Sequence, residues 1–263
     1  MNSDAYGVAI PLRKTRLCGT LLLMKQQAIN YLQRDIMTNI DMLEVLQMPK
    51  AKVFAANDHG VLVSHGDLFL LAHEPGFAAA FLPQITQTMP FNPEQLIVLH
   101  SDELRETLER DHGFQTVMEC RHAVYLSTAR IPYTLPEGAV IRKLDERYVD
   151  FVHAHYHMVD DIDYIRERIN EDMFGVFFFD EIVGFAGTHD ERSMGMLEIL
   201  PEYRRLGLAY ALEAHLINHL LSLGRVAFCQ VAVYNEASIK LQQKMGLAIS
   251  ERVIYWLARN RLK

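Results

Sequence analysis

Apolar residues recur at helical spacing over positions 25–46, where Ile29, Leu32, Ile36, Ile40, Leu43 and Leu46 fall on one face. A break is expected near 35–38, and Pro49 stops the run. Positions 52–56 and 61–64 flank Asn57, Asp58, His59 and Gly60, the layout of a hairpin. A strand is expected at 68–72, a helix opened by Pro75 and Gly76 and running to about Thr88, a strand at 96–99 and a helix at 103–110 closed by Gly113. Positions 116–126 read as a strand. The segment 128–138 holds Pro132, Pro136 and Gly138 and marks a domain boundary. Beyond it come a strand at 140–144, helices at 145–157 and 161–170, and a hairpin of 174–179 with 182–187 across Asp180 and Glu181. A helix ends at Gly224, a strand covers 228–233, a helix 236–244 is capped by Gly246, and a last strand covers 249–257. Strands and helices are interspersed along the chain, so the expected class is mixed α/β.

The second half is organised around MGMLEILPEYRRLGLAY, positions 194–210. Met196, Leu197, Ile199 and Leu200 form the apolar body of a short strand, and Pro201 ends it. Then come Arg204, Arg205, Leu206, Gly207, Leu208, Ala209 and Tyr210, running into a helical pattern. The first turn of a helix has unpaired N–H groups and the positive end of the dipole, which suits a phosphate. Gly207 allows close backbone approach. Two adjacent arginines oppose the dipole there, and a nearby anion would explain them.

There is also an internal echo. Leu96 to Leu99, a polar helix, Gly113 and a strand ending at Leu126 match the order of 230–233, a polar helix, Gly246 and a strand ending at Leu257. The first copy has no counterpart of the Arg204–Ala209 turn. The domains are therefore set at 24–130 and 137–263, behind an extension of 1–23, with Met24 a candidate natural start.

Of the 263 residues, 50% are hydrophobic and 22% charged, with a net charge of -7. With a pI near 5.9 and no basic run, a nucleic-acid partner is not expected. No apolar run is long enough to span a bilayer, so no membrane partner is expected, and the short run 17–24 lacks a clear cleavage site for a signal peptide. Cys18, Cys120 and Cys229 are far apart, which fits a reducing, cytoplasmic setting.

The turn Arg204, Gly207, Ala209 resembles the signature of the GNAT acyltransferase superfamily: Arg or Gln, two residues, Gly, one residue, then Gly or Ala. Leu197, Ile199 and Pro201 match the family's strand. Asn235, Ser238, Leu241, Lys244 and Gly246 look like its later segment, where an Asn caps a helix beside the cofactor's pantetheine arm. The spelling LEILPEYRRLGL is similar to the glycine N-acyltransferase branch, whose members carry an extra GNAT-like first domain. The resemblance implies a GNAT catalytic domain with a central mixed sheet, behind a degenerate GNAT-like one. It also implies transfer of an acetyl group from acetyl-CoA to a primary amine of a small molecule or amino acid, without a metal. A non-catalytic acyl-CoA-binding module is the alternative, and a homodimer is left open.

On this resemblance the cosubstrate would lie against Leu197, Glu198, Ile199, Arg204, Arg205, Leu206, Gly207, Leu208, Ala209, Tyr210, Asn235 and Ser238. An N–H on the strand, that of Ile199, would polarise the thioester carbonyl. The amine must lose a proton before it attacks. Family members often hold a Glu or His earlier on this strand; the matching positions here are Ser193 and Gly195, which serve poorly. Glu191 and Glu198 are the nearby carboxylates, and Glu198 is the candidate base. It alternates away from Leu197 and Ile199 unless a bulge resets the parity. The family's thiolate-protonating Tyr is replaced by Gln242, an amide with no acidic proton. Tyr234 is the candidate acid, with Tyr210 and water as alternatives. His153 and His157 share a helix face, but no glutamate of the zinc-protease pattern accompanies them.

Overall fold

A computed structural model describes residues 19–87 and 95–259. Positions 1–18 and Thr88 lie outside them, and with them most of the expected extension, Cys18 and the end of the helix expected to reach Thr88. Along the chain come α1 (Gly19–Leu32), α2 (Ile36–Val45), β1 (Lys52–Asn57), β2 (Gly60–His65), β3 (Leu68–His73), α3 (Leu82–Gln87), β4 (Leu96–Leu99), α4 (Arg105–His112) and β5 (Phe114–Val124). They are followed by β6 (Ala139–Lys143), α5 (Val149–His155), α6 (Ile162–Asn170), β7 (Phe174–Phe178), β8 (Glu181–Thr188), β9 (Met194–Ile199), α7 (Leu208–Ser222), β10 (Phe228–Ala232), α8 (Glu236–Lys244), β11 (Ala248–Ile249) and β12 (Ile254–Arg259). Two compact units result. One takes the residues up to Val124 with Val231–Ile239 and those from Ala248 on; the other takes Tyr125–Gln230 and Lys240–Leu247.

In the first unit the sheet order is β1-β2-β3-β4-β12-β5, with β11 on β5. Every pair is antiparallel except β3 with β4, which is parallel. The β1–β2 turn forms because the Asn57 side chain accepts from the His59 N–H at 2.8 Å, an Asx turn. Gly60 follows it because a Cβ there would lie 2.5 Å from the Phe81 ring. The expected helix at 25–46 is two helices: α1 ends at Leu32, and Asp35 caps α2 by accepting from the Thr38 N–H at 3.1 Å. The helix expected at 103–110 lies two residues later, and Gly113 ends it in the left-handed region at φ 69°. The core is Leu62, Leu71, Phe81, Ile97, Leu108 and Leu257 with their neighbours. Beside it Asp41 is fully buried and meets His100 Nε2 at 3.1 Å. The expected strand 249–257 is interrupted: β11 pairs β5, and β12 re-enters the sheet between β4 and β5.

In the second unit the order is β10-β9-β8-β7-β6. Strands β6 to β9 form an antiparallel meander, and β10 runs parallel to β9. Helices α5 and α6 cover one face, where Val152, Ile165 and Ile169 pack on Phe177, Phe185 and Met196. The expected helix 145–157 splits into a single 3-10 turn, Glu146–Tyr148, and α5. The first unit thus has three antiparallel strands, β1 to β3, before its parallel step to β4, and the second has four, β6 to β9, before its parallel step to β10.

Candidate functional site

Strand β9 contains one extra residue relative to β8. Glu198 pairs with Phe185 and Gly195 with Gly187, so three steps on β9 face two on β8. Met196, at φ 51°, takes up the excess. The parity of the strand is reset here. The Leu200 N–H donates to the Val183 carbonyl at 2.9 Å. Residues 199 and 184 are therefore a non-hydrogen-bonded pair, and the N–H and C=O of Ile199 face away from β8. On that side the ladder between β9 and β10 is registered at Met194 and Cys229, at the far end of β9.

After β9, a 3-10 turn of Pro201–Tyr203 leads to Arg204. Its guanidinium folds back on the strand. Nε donates to the Ile199 carbonyl at 2.9 Å and Nη2 to Glu198 Oε1 at 2.8 Å. Glu198 is thereby held in an ion pair, and Arg204 braces the turn. Arg205 follows at φ 65° and Gly207 at φ 81°. Gly207 is the N-cap of α7 and makes no side-chain cap bond. A Cβ built on it would meet nothing within 4 Å. The first α7 bond runs from the Ala211 N–H to the Gly207 carbonyl at 3.1 Å. The N–H groups of Leu208, Ala209 and Tyr210 precede it and lack intrahelical acceptors. The backbone thus presents a cluster of donors with open space before it.

A groove of about 560 Å³ runs past Leu206, Gly207 and Tyr210, walled by residues 132–136 and by Lys244. Lys244 Nζ stands 5.5 Å from the centre of the Tyr210 ring. The wall of 132–136 was legible only as a proline-bearing boundary, because its approach to α7 is non-local. Lys244 stood out in the sequence only as part of a motif.

The remaining candidates fall elsewhere. Asn235 caps α8 by accepting from the Ser238 N–H at 3.1 Å, and both belong to the first unit. Tyr234, in the same unit, is 80% exposed. Gln242 is buried and donates to Glu213 Oε1 at 2.6 Å. Burial pushes the Glu213 carboxyl up to about 7, with the Gln242 bond opposing. Glu191 is buried and accepts from Ser193 Oγ at 2.5 Å. His153 faces Asp160 at 3.1 Å. Among the described residues no group of three or more His, Cys, Asp or Glu is arranged to hold a metal, and no helix is long and apolar enough to cross a membrane.

Residues 139–247 match the family described as acetyltransferase (GNAT) family. No curated protein matches the chain. Among solved structures, a Drosophila protein superposes with a TM-score of 0.70 at 16% identity, over 89% of this chain and 94% of that one. A GCN5-related N-acetyltransferase from Kribbella flavida gives 0.56 at 11% identity, over 86% and 96%. A GCN5-related N-acetyltransferase-like protein from Streptococcus suis gives 0.52 at 16% identity, over 90% and 100%. With the bulged strand, the glycine-capped helix and these likenesses together, the chain has the GNAT fold, and its family-matching segment is residues 139–247.

Proposed function

We propose that this protein transfers an acetyl group from acetyl-CoA to a primary amine of a small molecule or amino acid. The observation that carries the reading is the left-handed Gly207 at the start of α7, with no atom within 4 Å of where a Cβ would stand. A diphosphate fits there: its oxygens accept from the N–H groups of residues 205–210, and the helix dipole favours its charge. Arg205 is exposed, and Lys244 lines the same groove. Both add positive charge on a chain whose net charge is -7.

The free edge of β9 takes the amide groups of that arm as a further strand would. The Ile199 N–H then donates to the thioester carbonyl and to the oxyanion formed on attack. The amine nitrogen bonds to the carbonyl carbon, the C–S bond breaks, and the thiolate departs. A thiol has a pKa near ~8.5, so it is a tolerable leaving group.

A non-catalytic acyl-CoA-binding module is favoured by two observations: Glu198 is tied to Arg204, and Gln242 is buried against Glu213. Thiol release from acetyl-CoA with a panel of amines separates the readings. Binding without turnover on any amine would favour the module. For the site itself, calorimetry should show coenzyme A bound at least about tenfold more weakly by Gly207→Glu, which sets a carboxylate against the diphosphate. Unchanged affinity in a folded variant would refute the proposal.

A further inference from the structure

The amine must give up a proton, and the carboxylates near β9 are committed. Glu198 is paired with Arg204, and Glu191 is buried under its bond from Ser193. Position 195, on the face of β9 that looks toward α5 and α6, has no side chain. The space is filled from the turn after β8. A Cβ on Gly195 would lie 2.4 Å from His189 Nε2 and 2.6 Å from its Cδ2. The imidazole therefore rests on the strand backbone, where a side chain of residue 195 would begin. Glycine at 195 admits the ring.

Pairing fixes which face this is. Gly195 stands opposite Gly187 and Glu198 opposite Phe185, and Phe185 packs in the core under α5 and α6. His189 lies two residues beyond Gly187. It is held by its backbone, whose N–H donates to the Ser193 carbonyl at 2.8 Å. Its Nδ1 is 2.8 Å from the Tyr164 hydroxyl. Nε2, facing β9, makes no hydrogen bond among the described residues.

Resting on the acetyltransferase reading, we infer that His189 is the proton acceptor for the amine, positioned by Tyr164. Tyr164 stays a neutral phenol: burial pushes its pKa up, and the Glu191 charge pushes it further. Its oxygen accepts from the Asp190 backbone N–H and can also accept from His189 Nδ1–H. In that tautomer Nε2 carries the lone pair. The incoming ammonium passes one proton to Nε2, and the freed amine attacks the thioester carbon. The second N–H proton leaves with the thiolate as the amide forms. The resulting imidazolium keeps its Nδ1–H bond to Tyr164 and loses its Nε2 proton to water. Tyr156, at the end of α5, and Tyr164 on α6 face the ring; Arg168 lies over Tyr164 and pairs with Asp190, the Glu191 charge acts on Tyr164, and Arg192 and Ser193 bond the His189 backbone. Tyr156 is also a neutral phenol, pushed up to about 12 by burial and by Glu191.

The test is kcat and kcat/KM against pH with acetyl-CoA and the amine panel, beside coenzyme A affinity by calorimetry. Three proteins are compared: the unaltered chain, His189→Gln and Gly195→Ala. Both variants should bind coenzyme A within about twofold of the unaltered chain, which shows that they fold. His189→Gln should lose about 100-fold in kcat and the acidic limb of the pH profile. Gly195→Ala should lose activity with the histidine still present, because its methyl displaces the ring. Unaltered kcat and pH profile in His189→Gln would overturn the assignment while leaving the acetyltransferase reading intact. Absence of turnover by the unaltered chain on every amine would overturn both.

Discussion

Glu198 shows how one residue's role turns on its neighbours. Its side chain alternates with that of Ile199, which pairs with Gly184, but the extra residue at Met196 puts it on the same face as Gly195, opposite Phe185. There it meets Arg204, which also holds the Ile199 carbonyl. The pair is part-exposed, so its worth to stability is about 0–1 kcal/mol. Its service is to orient the turn. Glu198→Gln keeps the shape and removes the charge. We expect kcat within about fivefold of the unaltered chain, and an unchanged acidic limb in the pH profile. A loss of that limb would return Glu198 to the role of base. The arginine, the glycine and the small residue of the turn were legible as letters in the sequence. The back-folding of Arg204 was not, because it depends on a bulge that the run of Met194, Gly195, Met196 and Leu197 does not announce. His189 was missed for a similar reason: its partner is an absent side chain on another strand.

Among elements, α7 and α8 are joined inside the second unit by the buried contact of Glu213 with Gln242. The Glu213 carboxyl has an ordinary value of 4.5 and is raised to about 7 by burial. The folded chain thus holds a proton that the unfolded chain has released. Its stabilising contribution is complete below pH 4.5 and disappears as pH rises through about 7. The span corresponds to about 3 kcal/mol. Glu213→Gln should flatten the stability of the chain between those two pH values and raise it above pH 7, read from urea midpoints. Equal slopes in variant and parent would refute this. Most elements could be read from periodicity and punctuation. Gly113, Gly207 and Gly246 all stand in the left-handed region at helix ends, as their place after or before a helical run implied. Boundaries were less legible. The β7–β8 turn uses Phe179 at φ 47° and Asp180 at φ 69°, one residue earlier than Asp180 and Glu181 suggested. Nothing in the letters marks a phenylalanine for a positive φ.

For the molecule as a whole, the pattern of 254–259 announces a strand but not its neighbours. A strand's partners are chosen by tertiary packing, and β12 lies between β4 and β5 of the first unit. Leu257 is fully buried in that unit's core. Leu257→Ala should cost about 3 kcal/mol, measured by urea unfolding, with larger loss if the cavity fails to collapse. A change under about 0.5 kcal/mol would mean that β12 is peripheral to the core. The place of β12 also bears on how the polypeptide is born. Synthesis proceeds from the amino end, yet the sheet that holds β4 and β5 waits for β12, which is made long after both. Until that piece emerges, β4 and β5 stand as two exposed edges in the nascent chain, open to wrong pairing. Ribosome-stalled intermediates should therefore be protease-sensitive between positions 96 and 124, and become resistant once β12 has emerged.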